Sequence, residues 1–295
     1  MRRRPDVSFF DNMHIVKEIS EVRSLVKAYQ MAGKTMAFVP TMGALHQGHL
    51  SLFRLAKDYA DEVVVSIYVN PEQFGPNEDF GSYPRTLDRD LTFCEEEGVS
   101  IVFTPSDEIM YGADKKYLSI EIDGLNDHLD GGSRPGYFEG IVLVVNKLFN
   151  IVQPDYSVFG QKDYQQFLII NQMVEEFNHN LKLVMAPIER AEDGLALSSR
   201  NAYLSDQERE RAPKMYELMK IAVREIKAGL LEPKLMLEQQ QNELEALGFK
   251  NDYLCVYSMD KLTPVSQLKK GETYLIAGAV YLGKTRLIDN IIFEC

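Results

Sequence analysis

Residues 36–69 read MAFVPTMGALHQGHLSLFRLAKDYADEVVVSIYV. The stretch opens on a short apolar run, MAFVP (36–40), and then enters a loop holding two glycines and two histidines. It goes on with the helical spacing of LSLFRLAKDYA and closes on a second β-rich run, VVVSIYV (63–69). Two buried-type strands joined by a helix make a βαβ unit with parallel strands. Such units stack into an open sheet covered by helices on both faces.

The alternation continues outward. SIVFTP (100–105), YSVF (156–159) and LKLVMA (181–186) read as further buried strands, short and rich in β-branched or aromatic residues. Helical patterns lie between them at about 48–60, 86–97, 139–152 and 164–177. In sheets of this kind ligands bind beyond the carboxyl ends of the strands, where PTMGALHQGH (40–49) falls. APIERAEDGLALSSRN (186–201) breaks the pattern and reads as a connection. After it, Ser205-Asp206-Gln207-Glu208 forms a capping box for a charged helix that Pro213 should kink or restart. An amphipathic helix over about 233–247 and three strands, YLCVYS, TYLIAGAVYL and TRLIDNIIF, complete the chain. The expectation is an α/β domain over 1–187, with 1–12 as a loose tail, and a smaller α+β domain over 188–295.

Composition narrows the function. The chain has 295 residues, 45% hydrophobic and 26% charged, with a net charge of −12. That acidity argues against non-specific nucleic-acid binding, which needs a surplus of Lys and Arg to displace counterions. Cys94, Cys255 and Cys295 are few, odd in number and far apart, which suits a reducing cytoplasm rather than a disulfide framework. The longest apolar runs, such as IVLVV, are too short to span a bilayer.

The loop admits three readings. His46 and His49 have a usable zinc spacing, but the other three histidines, His14, His128 and His179, lie in unrelated contexts and supply no further ligand. The glycines alone are also consistent with a plain strand-to-helix turn. The third reading is an anion site. Gly43 allows close backbone approach, Gly48 sits at the mouth of a helix whose first N–H groups are unpaired, and the positive end of the helix favours neutral imidazoles as donors to phosphate. A decoy lies near the other end: Gly278 to Thr285 matches G-x-x-x-x-G-K-[ST]. Only ten strand-like residues follow it, so a turn between strands is the better account.

Other junctions carry polar groups. FGQKDYQQF (159–167) follows a strand and opens a helix, with Lys162 as a point charge for phosphate and Gln166 as a hydrogen-bonding amide. VNPEQF (69–74) places Asn70 and Gln73 just past a strand, where neutral amides can read a hydroxyl or carboxylate, although a Pro-containing turn accounts for the stretch equally well. LSSRN (197–201) gathers two hydroxyls and a guanidinium into a candidate phosphate clamp. RPGYFEG (134–140) offers Arg134 as an anion partner or a surface charge. If the phosphates carry a magnesium ion, Asp88 or Asp90 could lend it a carboxylate.

Taken in order, FVPTMGALHQGH, YVNPEQFGPNEDFGSYPRTLDRD, RPGYFEG, VQPDYSVFGQKDYQQ and DGLALSSRNAYLS resemble the pantothenate synthetase (pantoate–β-alanine ligase) family, within the H-x-G-H nucleotidyltransferase superfamily. The resemblance runs from about Met13 to TRLIDNI. It implies a Rossmann-like parallel-sheet N-terminal domain, a smaller lid-like α+β C-terminal domain, a homodimer, and ATP-dependent joining of (R)-pantoate and β-alanine with Mg²⁺. Residue by residue, it implies that Met42, Gly43, Ala44, Leu45, His46, Gln47, Gly48 and His49 line the ATP site, with His49 the proton donor and His46 and Lys162 its catalytic companions. Gly160, Gln161, Lys162 and Asp163 would bind ATP, as would Leu197, Ser198, Ser199 and Arg200. Glu189 would do so through its backbone, and Gln73 and Gln166 would hold pantoate. Tyr137 stands where histidine is usual, Gln161 where Glu is common, and Glu189 where an aliphatic residue is usual. Two rivals are an H-x-G-H enzyme that leaves AMP on a phosphate-bearing acceptor and a non-catalytic nucleotide-binding module.

Overall fold

The computed structural model describes residues 12–76, 78–113, 118–229 and 233–295. The tail expected over 1–12 therefore lies outside the described residues, save Asn12. The chain divides into two compact units. One takes the described residues up to Ile122 together with Arg134–Gly160 and Gln166–Ala186; the other takes Asp123–Ser133, Gln161–Gln165 and Pro187–Cys295.

Among the described residues, the first unit holds six parallel strands: β1 (His14–Val16), β2 (Met36–Thr41), β3 (Glu62–Ile67), β4 (Ile101–Phe103), β5 (Tyr156–Gly160) and β6 (Lys182–Ala186). Their spatial order is β1-β4-β3-β2-β5-β6. The chain thus builds outward from β2 in one direction and resumes beside β2 with β5, which makes the carboxyl ends of β2 and β5 the switch point of the sheet. Pro40, which has no N–H to give, falls where the β2 ladder to β5 has ended after Phe38. Helices α1 (Ile19–Met31), α2 (Gln47–Tyr59), α3 (Leu87–Glu96) and α4 (Asp107–Tyr111) precede β5. α5 (Leu129–Ser133) belongs to the second unit, α6 (Tyr137–Val152) leads into β5, and α7 (Tyr164–Glu176) leads into β6.

The pattern of burial explains these elements. Met36, Ala37, Phe38 and Val39 are all inaccessible, as a central parallel strand requires. α2 turns Leu50, Phe53 and Ala56, spaced three residues apart, into a core with Val63, Val65, Val102 and Val158. Edge strand β1 and helix α1 are absent from the sequence expectations. β1 is only three residues long and half-exposed, which leaves no apolar run to read.

In the second unit α8 (Asp206–Arg211), α9 (Lys214–Lys227) and α10 (Pro233–Ala246) accompany an antiparallel sheet of β7 (Phe249–Ser258), β8 (Thr273–Leu282) and β9 (Thr285–Glu294). The Ser205–Glu208 capping box forms, and the helix restarts after Pro213 as expected. Met215, Leu218, Met219 and Ala222 of α9 pack with Met236, Val256, Ile276 and Val280. The P-loop look-alike is the β8–β9 hairpin: Leu282 pairs with Thr285 and Gly283 takes φ +58° in the tight turn. No helix among the described residues is long and apolar enough to cross a membrane.

Candidate active site

The loop after β2 needs conformations few residues accept. Gly43 has φ +77° and Ala44 φ +50°. A Cβ at Gly43 would lie 3.0 Å from both Asp90 Oδ2 and Ile67 Cγ2, so glycine is required for space as well as angle. A left-handed alanine persists only where its surroundings over-determine it. Here Asp90 of α3 does so: Oδ2 accepts the Ala44 N–H and Oδ1 the Leu45 N–H, both at 2.9 Å, and the Thr86 hydroxyl donates to Oδ1 at 3.0 Å. Arg89 donates to the Leu45 carbonyl at 2.9 Å, gripping the same residue from its other side. Asp90 is 1% exposed, with three donors on its two oxygens, and Asp88 is exposed on the helix surface. This corrects the sequence reading. Asp90, read as a possible helper of a magnesium ion, is spent on bracing the loop.

His46 is the N-cap of α2. Its Nδ1 accepts the Gly48 N–H at 3.1 Å, and the Nδ1 of His49 accepts the His46 N–H at 3.4 Å, a reciprocal cap made of two imidazoles. The rings lie 4.2 Å apart, tilted by 50°. A ring nitrogen that accepts a hydrogen bond carries no proton, so each neutral ring holds its proton on Nε2. The helix mouth therefore differs from the expectation of open backbone donors: the Gly48 N–H is consumed by His46, and the His49 N–H reaches the His46 carbonyl at 2.7 Å. Two neutral Nε2–H edges take their place as candidate donors to an anion.

Gln73, in the 3-10 turn Pro71–Gln73, is 7% exposed. Its Oε1 accepts from Asn70 Nδ2 at 3.1 Å, and its Nε2 lies 3.2 Å from Met42 Sδ. The carbonyl end is thus occupied, and the amide's donor end is turned to the Met42 side. Asn70 differs from its expected role as a ligand-reading amide. It is 1% exposed, also donates to the Gly140 carbonyl at 3.1 Å, and accepts the Tyr111 hydroxyl at 2.6 Å. Its polar atoms hold Gln73 in place. Gly140 completes the support, because a Cβ there would strike the Glu72 carbonyl and come within 2.8 Å of Gln73 N. Gly140→Ala should destabilise the fold by about 3 kcal/mol and raise the KM for the acid substrate more than that for nucleotide; a thermal melt and separate titrations of each substrate check this.

Arg134 also departs from its reading as an anion partner. Both its Nε and one Nη donate to the Glu78 carboxylate at 2.7 Å, and its guanidinium lies 3.3 Å from the centroid of the Tyr137 ring. Gln166, on α7, is half-buried.

The remaining site residues belong to the second unit, apart from Gly160 at the end of β5. Gln161–Asp163 form a single 3-10 turn after β5, with Lys162 Nζ 4.0 Å from Asp163 Oδ2. The next residues anchor that turn. Tyr164 donates to the Met259 carbonyl, and Gln165 donates to the Leu125 and His128 carbonyls while accepting the Asp130 and Gly131 N–H groups. Glu189 is exposed; its carbonyl accepts the Leu197 N–H at 3.0 Å, and Arg190 bridges to Ala196, so 189–197 is a small hairpin. Ser198 caps the following 3-10 turn, Ser199–Tyr203, by accepting the Arg200 N–H. Asn290, absent from the sequence expectations, binds the Gln161 side chain and the Gln161 and Lys162 carbonyls. Nothing in TRLIDN marks that asparagine, because its partners lie 128 and 129 residues away. Among the described residues no group of three or more His, Cys, Asp or Glu side chains is arranged to hold a metal ion. With Asp90 committed to the loop, this donor set does not fit a protein-built magnesium site.

Histidines capping each other at the carboxyl end of the strand where the sheet reverses accord with the resemblance read from the sequence. A family model described as Pantoate-beta-alanine ligase matches residues 14–292. This chain belongs to the pantoate–β-alanine ligase family. Its similarity to relatives in that family is broad. It is 46% identical over 283 residues to the pantothenate synthetase of Caldicellulosiruptor saccharolyticus, covering 96% of this chain and 100% of the relative. It is 47% identical over 287 residues to that of Carboxydothermus hydrogenoformans, covering 96% and 99%. A crystal structure of pantothenate synthetase from Thermus thermophilus superposes with a TM-score of 0.86 at 38% identity, over 95% of this chain and 99% of the other. Pantoate–β-alanine ligase from Francisella tularensis, complexed with Beta-gamma ATP and β-alanine, does so with a TM-score of 0.79 at 36% identity, over 95% and 98%. Against this ligase-family background, Tyr137 serves as the platform for Arg134, and Glu189 enters the hairpin through its carbonyl.

Proposed function

We propose that this chain condenses (R)-pantoate with β-alanine to pantothenate, converting ATP to AMP and pyrophosphate by way of a pantoyl adenylate. The observation that carries the reading is the reciprocal imidazole cap, set on a backbone pinned by Asp90, in a member of this ligase family.

A carboxylate does not react with an amine at neutral pH, so the acid must first be activated. In the first step a pantoate carboxylate oxygen bonds to the α-phosphorus of ATP, and the bond from that phosphorus to the bridging oxygen breaks, releasing pyrophosphate. His49 and His46 donate from Nε2 to phosphate oxygens as charge shifts, and Lys162 adds a point charge. The gain comes from positioned donors that need no reorganisation. Gln73 and Gln166 hold pantoate, with the Gln73 amide donating to the acid's oxygens. In the second step the neutral amine of β-alanine adds to the acyl carbonyl, AMP departs with the bond electrons, and the amine proton passes to solvent or phosphate.

Met42 to His49, Gly160 to Asp163, the Glu189 backbone and Leu197 to Arg200 are the proposed ATP contacts. The first unit is the proposed pantoate-binding domain carrying the histidine loop; the smaller second unit takes 123–133 and 161–165 as well as the expected C-terminal stretch, so the boundary is not the single cut after 187 read from the sequence. Mg²⁺, where bound, would be held by triphosphate oxygens and water and would offset phosphate charge. A homodimer and a cytoplasmic setting complete the proposal; the three cysteines, all free, suit a reducing compartment.

Isotope exchange between pyrophosphate and ATP tests the reaction order. Exchange should require pantoate and proceed without β-alanine. Exchange without pantoate, or only with both substrates, refutes the adenylate, and AMP retained in the product would favour a nucleotidyltransferase.

A further inference from the structure

We infer that Asn290 of β9 is a positioning residue that sets the direction of Lys162. The inference rests on the reading that Lys162 binds the phosphates of ATP. Asn290 is 3% exposed, and its side-chain amide is committed to the turn after β5. Nδ2 donates to the Gln161 carbonyl at 2.9 Å and to the Lys162 carbonyl at 3.0 Å, and Oδ1 accepts from Gln161 Nε2 at 3.1 Å.

The two carbonyls are not arbitrary. One belongs to the peptide plane before the Lys162 Cα and the other to the plane after it. A peptide plane is rigid, so fixing both planes fixes the two soft backbone angles of Lys162. One amide nitrogen thereby sets the direction in which the lysine side chain leaves the backbone. Asn290 is itself held. It pairs with Ala277 in β8, and its N–H donates at 2.8 Å to Asp289 Oδ1, whose carboxylate also accepts from both Nη atoms of the Arg190 guanidinium. The dipeptide Asp289–Asn290 therefore ties together the Lys162 turn and the 189–197 hairpin, the two stretches of this unit assigned to ATP.

The same geometry accounts for the side chain of Gln161. Both Nδ2 hydrogens of Asn290 are spent on carbonyls, so Oδ1 faces residue 161 and needs a donor there. Glutamine supplies one; a carboxylate would set oxygen against oxygen. In this chain the Gln161 side chain braces the turn.

The test measures ATP and pantoate affinity by calorimetric titration in the full chain carrying Asn290→Asp, Lys162→Ala or both. Asn290→Asp keeps the shape and removes both donors. It should weaken ATP binding about tenfold, with pantoate affinity within about twofold. In the Lys162→Ala background it should add less than about twofold, because the lysine it directs is gone. Wild-type ATP affinity in Asn290→Asp, or losses that multiply in the double variant, would overturn the inference. Should Asn290→Asp fail to fold, Asn290→Ser decides: about tenfold weaker ATP binding that disappears in the Lys162→Ala background supports it, and unchanged ATP binding overturns it. Pantoate-dependent exchange in the wild-type protein is measured alongside. Its absence counts against the ligase reading, whatever Asn290 does.

Discussion

His49→Ala lowers kcat by about a thousandfold while the melting temperature stays within a few degrees, because the imidazole's contribution is made in the transition state and hardly at all to the fold. The asymmetry follows from its contacts. The fold contact its ring makes through Nδ1 is a long one, 3.4 Å from the His46 N–H, and α2 is anchored instead by Leu50, Phe53 and Ala56 in the core. Under the proposed mechanism, what alanine removes is a neutral Nε2–H donor to the transferring phosphoryl group. The loss should appear in the pantoate-dependent exchange reaction as fully as in overall turnover, since both pass through adenylate formation. ATP affinity measured without turnover should change far less. A decline of only a few-fold, or one confined to the β-alanine step, would reduce His49 to a capping residue.

Asp90→Asn is the second large effect, and it acts without touching the reactants. The carboxylate presents an acceptor to each of two neighbouring N–H groups, Ala44 and Leu45. Asparagine keeps one acceptor and turns an NH₂ toward the other donor, whichever way it is flipped. One buried backbone N–H is then left facing a donor, costing about 2 kcal/mol of stability. Ala44, held at φ +50°, is the residue that relaxes first. The histidines follow within five residues, and a shift of about 1 Å in their position can cost about a hundredfold in rate. We therefore expect both a lower melting temperature and about a hundredfold fall in kcat/KM for ATP, with Asp88→Asn as an exposed control that changes neither. Raising the magnesium concentration should not restore the rate; restoration would return Asp90 to the role of metal ligand.

These two residues mark how far the sequence could be read. His49 is legible because its neighbours in the chain are also its neighbours in space: PTMGALHQGH contains the turn, the cap and both rings. Lys162 and Gln73 are legible for the same reason, each standing at the end of a recognisable strand. Asp90 is visible in the sequence but misleading there, since an acid in the first turn of a helix looks the same whether it faces an ion or a backbone. Asn70 and Arg134 likewise read as ligand-facing, and each proves to be occupied by partners distant in sequence, Gly140 and Tyr111 for one and Glu78 for the other. Gly140 and Asn290 fall in quoted stretches, RPGYFEG and TRLIDNI, but nothing in either marks the contacts they make.

Local patterning by itself determined every strand but β1, the longer helices other than α1, the β8–β9 turn and the placing of phosphate-type motifs at strand ends, because apolar periodicity and turn chemistry act over a few residues. Tertiary structure decided which polar side chains are spent on the fold. That choice depends on donors and acceptors supplied from far along the chain, as when α3 grips the Ala44–Leu45 backbone and β9 grips the turn of Lys162. A hydrogen-bonding group is defined by its partner, and the partner becomes known only once the chain has folded.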